Sequence, residues 1–348
     1  MFFRQENASV APVTRQLTVT VVRVFALIVV AGCEAYPEYH RYDGLTMGTQ
    51  YRITANCPTD ISAAVAVELR VVNNEMSTFL ENSTISEFNR APVGTWVPAS
   101  SSLVKVILAA AELSEASAGA FDVTVGPLVN LWGFGPDVTG WSPPERAAVE
   151  DARAKVGFAR LLVRQEPPEL SKTHEMFVDL SAIAKGHGVD RLSEVLNAAH
   201  CTDYLIDIGG EVRARGLNAV GESWRIGIEV PDPDRSGAIQ RVLKLTDEAV
   251  ATSGDYRNFF EDRGQRYSHT IDPRTGYPVA HGLASVTVIH ESAMWADGYA
   301  TALNVLGPVR GLELATDHEL AALFVVRKEN GFEERYTPIM RTRLTVSE

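Results

Sequence analysis

The sequence predicts an α+β fold: a single two-lobed domain of mixed, largely antiparallel sheets with packed helices. Three observations lead there. Apolar residues recur at helical spacing at Ile61, Val65, Leu69, Val72 and Met76. Residues 224–230 alternate apolar and polar side chains, as a half-buried strand does. Helical and strand patterns are interspersed without the regular alternation that builds a parallel sheet.

In chain order, Tyr51 and Ile53 alternate with polar neighbours and mark an entering strand. The helix over residues 61–76 follows and ends near Ser77. Thr84 with Glu87 three residues on forms a capping box for a short second helix. Leu103, Val106, Ile107, Ala110 and Leu113 mark a third. Residues 141–157 are polar and helical in pattern, and 161–170 read as a peripheral strand and loop. A strand is expected to stop at Phe177-Val178 and a helix to open at Asp179, with Ile183, Val189, Leu192 and Leu196 as its buried face. Gly186 and Gly188 on that helix allow close backbone approach. Further strands are expected at 204–208, 285–289 and 321–326.

The 348 residues hold 45% hydrophobic and 22% charged side chains, enough for a sizeable folded core. A formal net charge of −12 argues against nucleic acid or an anionic membrane surface as the main partner, since a polyanion needs a basic patch. Arg4, Arg15 and Arg23 precede the apolar run Val24 to Val30 and then Ala31-Gly32-Cys33. This reads as a secretory signal over residues 1–32, too short to span a membrane. Its end resembles a bacterial lipobox in which Cys33 is the lipidated first residue, followed by a tether over residues 33–44. The expected location is therefore the periplasmic face of a bacterial membrane, with the lipid as the only anchor. A plain signal with a chance cysteine is the alternative. Cys57 and Cys201 are the other thiols. A disulfide is permitted outside the cytoplasm, but two cysteines make no framework, and the reading favours both as buried and free.

The most polar stretch runs from Thr252 to Gly276. Thr252-Ser253-Gly254-Asp255-Tyr256 and Ser268-His269-Thr270-Ile271-Asp272-Pro273-Arg274-Thr275-Gly276 flank a turn at residues 262–265 that reads as a hairpin. Taken alone, the second motif is equally well a ligand-holding corner or a capped surface turn. Asp297 and Thr301, four apart on an expected helix, project from one face. A carboxylate and a hydroxyl so placed suit magnesium, although the spacing alone favours an exposed Asp beside a packed Thr. Gly209-Gly210 follows a strand, but there is no G-x-G-x-x-G, no Walker lysine, no histidine pair at zinc spacing and no G-x-S-x-G elbow.

Other motifs appear in order: Met47-Gly48-Thr49, Met76-Ser77-Thr78, Phe121-Asp122-Val123-Thr124-Val125-Gly126-Pro127, Leu131-Trp132-Gly133-Phe134-Gly135, Val178-Asp179-Leu180, Ala184-Lys185-Gly186 and Asp207-Ile208-Gly209-Gly210. With the Thr252–Gly276 stretch, this ordered set resembles the ApbE family, the FAD:protein FMN transferases, over roughly Leu45 to Leu306. The resemblance implies a flavin transferase domain over residues 45–348. It implies Mg²⁺ held by Asp297, Thr301 and the backbone carbonyl of Ala182. Some relatives carry another acid where this chain has Ala300, so water is the expected substitute. Met47, Phe79, Ala120, Phe121, Asp122, Asp179, Lys185 and Ile271 match positions that contact FAD. The implied reaction splits FAD and moves FMN onto a threonine or serine hydroxyl of an acceptor protein, an exported electron-transfer subunit in this family, releasing AMP. An FAD pyrophosphatase and a non-catalytic FAD-binding lipoprotein are the alternatives. His269 is the candidate general base because its ordinary pKa lies near neutrality, with Asp272 as a lesser helper. A structural histidine bonded within its own turn is the competing reading.

Overall fold

The computed structural model describes residues 38–136, 142–232, 235, 237–255 and 258–345. The signal segment and Cys33 lie outside the described residues. Among the described residues no helix is long and apolar enough to cross a membrane.

The chain enters through a hairpin of β1 (His40–Thr46) and β2 (Thr49–Asn56), turned at Met47-Gly48 with both φ angles positive. The expected tether over 33–44 is thus corrected: from His40 onward the chain is an edge strand, because pairing with β2 satisfies its backbone. Helix α1 (Ser62–Met76) buries Val65, Leu69, Val72 and Met76, the expected stripe. Helix α2 (Thr84–Arg90) is capped one residue earlier than the capping box implied. The Ser83 hydroxyl accepts the Ser86 N–H, and Thr84 is the first helical residue. There follow β3 (Val97–Pro98), α3 (Ser101–Ala116), α4 (Gly126–Leu131), α5 (Arg146–Arg153), β4 (Leu161–Gln165) and β5 (Pro168–Lys172). Phe177 makes only an isolated bridge to Val125, and α6 (Ala184–Ala198) opens five residues after Asp179 rather than at it.

The second half supplies most of the sheet: β6 (Asp203–Ile208), β7 (Glu211–Arg215), β8 (Trp224–Glu229), β9 (Ile239–Leu245), β10 (Ala249–Gly254), β11 (Phe259–Asp262), β12 (Gln265–Ser268), β13 (Ile271–Asp272), β14 (Tyr277–Pro278) and β15 (Leu283–His290). The β11–β12 pair is the expected hairpin, turned at Arg263-Gly264. Then come α7 (Ala293–Asp317), broken at Gly307-Pro308, β16 (Ala321–Lys328), β17 (Gly331–Tyr336) and α8 (Pro338–Thr345).

One sheet, ordered β1-β2-β6-β7-β10-β15-β16-β17, carries the fold, and every ladder in it is antiparallel. Its strands β15 and β16 are covered on both faces. Val288, Ala322 and Phe324 pack with α7, while their neighbours Ile289, Leu323 and Val325 pack with β8, β9 and Met340 of α8. Helices α1 and α6 cover the β2–β6 end of the first face. A separate apolar cluster gathers α2, α3 and the small sheet β3-β5-β4 around Phe88, Ile107 and Phe121. This is the α+β architecture that the patterning predicts.

The cysteine reading is overturned. Cys57 and Cys201 form a disulfide across 144 residues of sequence, with Cα atoms 4.2 Å apart. Antiparallel pairing of Asn56 with Asp203 brings the end of β2 to the start of β6, and so places the two cysteines side by side.

Candidate functional site

The site is built where the first turns of α6 and α7 meet. Gly186 makes that contact possible: a Cβ there would lie 2.2 Å from the Ala293 carbonyl oxygen and 2.8 Å from the Asp297 Cβ. The Gly186 N–H donates to Asp297 Oδ2 at 3.0 Å. Gly186 is the third residue of α6, where a helix offers its N–H no acceptor of its own, and Asp297 supplies one. Among the described residues no backbone N–H reaches the Ala182 oxygen, which lies just ahead of the helix. Asp297 is 3% exposed, and burial raises its pKa, opposed by the charge of Lys185 and by the Gly186 bond. One turn along α7, the Thr301 hydroxyl lies 3.1 Å from the Ser253 hydroxyl at the end of β10. The Thr-Ser-Gly-Asp motif and the Asp297/Thr301 pair, far apart in sequence, are therefore neighbours.

Among the described residues no three His, Cys, Asp or Glu side chains group as a metal cluster. Asp297 and Thr301 present one carboxylate and one hydroxyl a turn apart on α7, and the unbonded Ala182 carbonyl lies just ahead of α6, whose Gly186 N–H Asp297 accepts. That all-oxygen set with a single charge suits a hard cation that keeps much of its water, and it suits zinc or copper poorly.

Lys185, the neighbour of Gly186, extends from α6 to an ion pair with Glu211, Nζ to Oε1 at 2.6 Å. Glu211 was not singled out in the sequence. The only signal available was its place directly after Gly209-Gly210. It is 2% exposed, and its pKa is pushed up to about 7 by burial, against the pull of Lys185 and with the added push of Asp297.

His269 is held by its own loop. Both its backbone N–H and its Nδ1 lie within 3.1 Å of the Asn258 carbonyl. A carbonyl only accepts, so Nδ1 carries the proton and Nε2 is left as the basic nitrogen. Burial lowers the pKa of His269, the Asn258 bond opposes this, and the charge of Lys185 lowers it further, so the ring is neutral at neutral pH. Asp272 is closed within its turn, with both oxygens on the Arg274 side chain at 2.8 and 2.9 Å. It holds the corner and is not placed as a base. The same corner is tied to the Leu-Trp-Gly motif by the Trp132 indole N–H, which donates to the Gly276 carbonyl at 2.9 Å.

The other expected positions divide. The Met47 side chain packs on α6 where Gly188 lacks a Cβ. Asp179 Oδ1 accepts the Ser181 N–H at 2.9 Å and its hydroxyl at 2.5 Å, which shapes the turn that carries Ala182. Asp122 accepts from the Thr124 N–H and hydroxyl and from the Phe158 N–H. Ala120 is buried, and Phe121 and Ile271 are buried in apolar clusters. Phe79 is 68% exposed on the α1–α2 connection. A cleft of about 420 Å³ joins Gly119 and Asp122 to Pro273 and Arg274. A larger hollow of about 560 Å³ against β1 and β2 contains none of the candidate residues.

A buried carboxylate whose ionisation a lysine favours, a hydroxyl one turn along and a histidine that is neutral at neutral pH are groups equipped for chemistry on an anionic ligand. Residues 47–324 match the ApbE family. An FAD:protein FMN transferase of Vibrio cholerae is 41% identical over 320 residues, covering 90% of this chain and 95% of that one. One from Haemophilus influenzae is 38% identical over 329 residues, covering 91% and 95%. The solved structure of the flavin transferase ApbE from Vibrio cholerae superposes with a TM-score of 0.82 at 39% identity, over 88% of this chain and 99% of that one. The chain belongs to the ApbE family and is a transferase.

Proposed function

We propose that this chain takes FAD as substrate and moves its FMN portion, with the help of Mg²⁺, onto a threonine or serine hydroxyl of an acceptor protein, releasing AMP. The observation that carries the reading is the Asp297 carboxylate, buried on α7 and holding the Gly186 N–H of α6, with the unbonded Ala182 carbonyl just ahead of that helix. Asp297, Thr301 and the Ala182 carbonyl would hold the ion. Bound there, magnesium supplies charge compensation for the diphosphate and the departing phosphate. Lys185 adds a positive charge beside that place. His269, unprotonated at Nε2, takes the proton from the acceptor hydroxyl as its oxygen bonds to the FMN phosphorus. The phosphorus–oxygen bond to AMP breaks in the same exchange, so AMP leaves with the bridging oxygen.

The test follows the mass of an acceptor protein as it gains one FMN, with and without magnesium. Asp297→Ala should slow transfer roughly a hundredfold or more, the loss of several kcal/mol in the transition state. His269→Ala should slow transfer while leaving magnesium-dependent FAD binding intact. Transfer by Asp297→Ala at the parent rate in saturating magnesium would sink the assignment. Free FMN with AMP would mark a pyrophosphatase, and unchanged FAD a carrier. We further propose that Cys33 is lipidated and holds the enzyme at the periplasmic face of the membrane. Cys33→Ser should then appear in the soluble periplasmic fraction, and continued membrane retention would count against the anchor.

A further inference from the structure

Glu211 has no part in the reaction as set out above, yet its placement is specific. It opens β7 immediately after the left-handed turn at Gly209-Gly210, where φ is +63° and +104°. Oε1 holds the Lys185 ammonium at 2.6 Å, whereas the buried Oε2 has no hydrogen-bond partner among the described residues. A carboxylate half-satisfied in the interior is costly, and a lysine that merely needed neutralising could have stayed in water.

The backbone next to Lys185 is pinned to Asp297 through the Gly186 N–H, so the root of this lysine is anchored beside the carboxylate proposed to bind the cation. Its side chain runs to Glu211, while its charge also acts on Asp297. Two buried acids thus share one ammonium. We infer that Glu211 is a positioning residue that holds the Lys185 ammonium off Asp297, which keeps the Asp297 carboxylate open to a divalent cation. With Glu211 neutralised, Asp297 is the buried acid left within reach of the lysine, and the ammonium would occupy the place of the metal. The mutual influence of the three groups agrees with this: the charge of Lys185 favours ionisation of both acids, and Asp297 disfavours that of Glu211. With both acids ionised, Asp297, Glu211 and Lys185 sum to one negative charge, and a divalent cation turns that into one positive charge facing a diphosphate.

The inference rests on Asp297 as a metal ligand, and its test separates the two. Mn²⁺ binding to the purified protein, without FAD, is measured from the loss of the free-ion electron paramagnetic resonance signal. Glu211→Gln should weaken Mn²⁺ binding about ten- to a hundredfold, the usual effect of removing an outer-shell partner. Adding Lys185→Met to that variant should restore binding at least to the parent level, an outcome that a purely structural ion pair does not produce. Parent-like binding by Glu211→Gln overturns the inference, and so does a loss that Lys185→Met fails to rescue. Should Glu211→Gln not fold, Lys185→Met alone decides: equal or tighter binding supports the inference and weaker binding overturns it. No Mn²⁺ binding by the parent protein would instead remove the metal assignment itself.

Discussion

Replacing Gly186 with alanine should injure the fold and the site at once. The new methyl would meet the Ala293 oxygen at 2.2 Å, its carbonyl carbon at 2.6 Å and the Asp297 Cβ at 2.8 Å, all on α7. Two of these are backbone atoms that no rotamer change moves. Ordinary contact distances require α6 and α7 to part by about 1 Å. That displacement carries the Gly186 N–H beyond hydrogen-bond range of Asp297, since the bond is already 3.0 Å long. Overpacking of this kind costs about 1–3 kcal/mol, and losing a bond to a charged acceptor about 1.5–3 kcal/mol. The helical preference of alanine over glycine returns about 1 kcal/mol. The net expectation from these terms is a loss of about 1.5–5 kcal/mol, read from the urea midpoint at constant m. Gly188→Ala is the control two residues on, where the methyl meets the Cε end of Met47 at 2.8 Å and a flexible side chain can yield. Equal midpoints for the two variants would refute the reasoning.

Removing the Cys57–Cys201 link by double alanine substitution should cost about 2–5 kcal/mol in urea titrations, because the bridge closes a long loop in the unfolded chain; unchanged stability in oxidised protein would show that the bridge does not form. His187, buried on α6 with Nε2 2.9 Å from the Ser102 hydroxyl, has its pKa lowered by burial from 6.5 to about 4. The folded state therefore favours the neutral ring. Its contribution is complete above pH 6.5 and is lost as pH falls towards 4, by up to roughly 3 kcal/mol. His187→Gln should flatten the acid limb of stability across that window, and an unchanged slope would assign the limb elsewhere.

Local pattern was enough for most elements. The stripe from Ile61 to Met76 could only be a helix face, the 262–265 turn only a hairpin tip, and Asp297 and Thr301 only one face of a helix, because each rests on periods of two or 3.6 within one segment. The helix start at Asp179 was misplaced because an Asp can cap a turn as well as a helix, and here Ser181 takes its oxygen. Local patterns thus reached the α+β class, the ordered motifs reached the family, and the candidate metal face on α7 came with that resemblance. Which distant groups share a volume emerged from the folding of the chain. The antiparallel pairing of β2 with β6 joined Cys57 to Cys201. The missing Cβ at Gly186 let α6 settle on α7, with a first-turn N–H bonded to Asp297. Glu211 entered the site because the β6–β7 hairpin delivers it to Lys185. None of these has a local period to read, since each is a contact between segments whose separation is closed by the sheet and not by the chain.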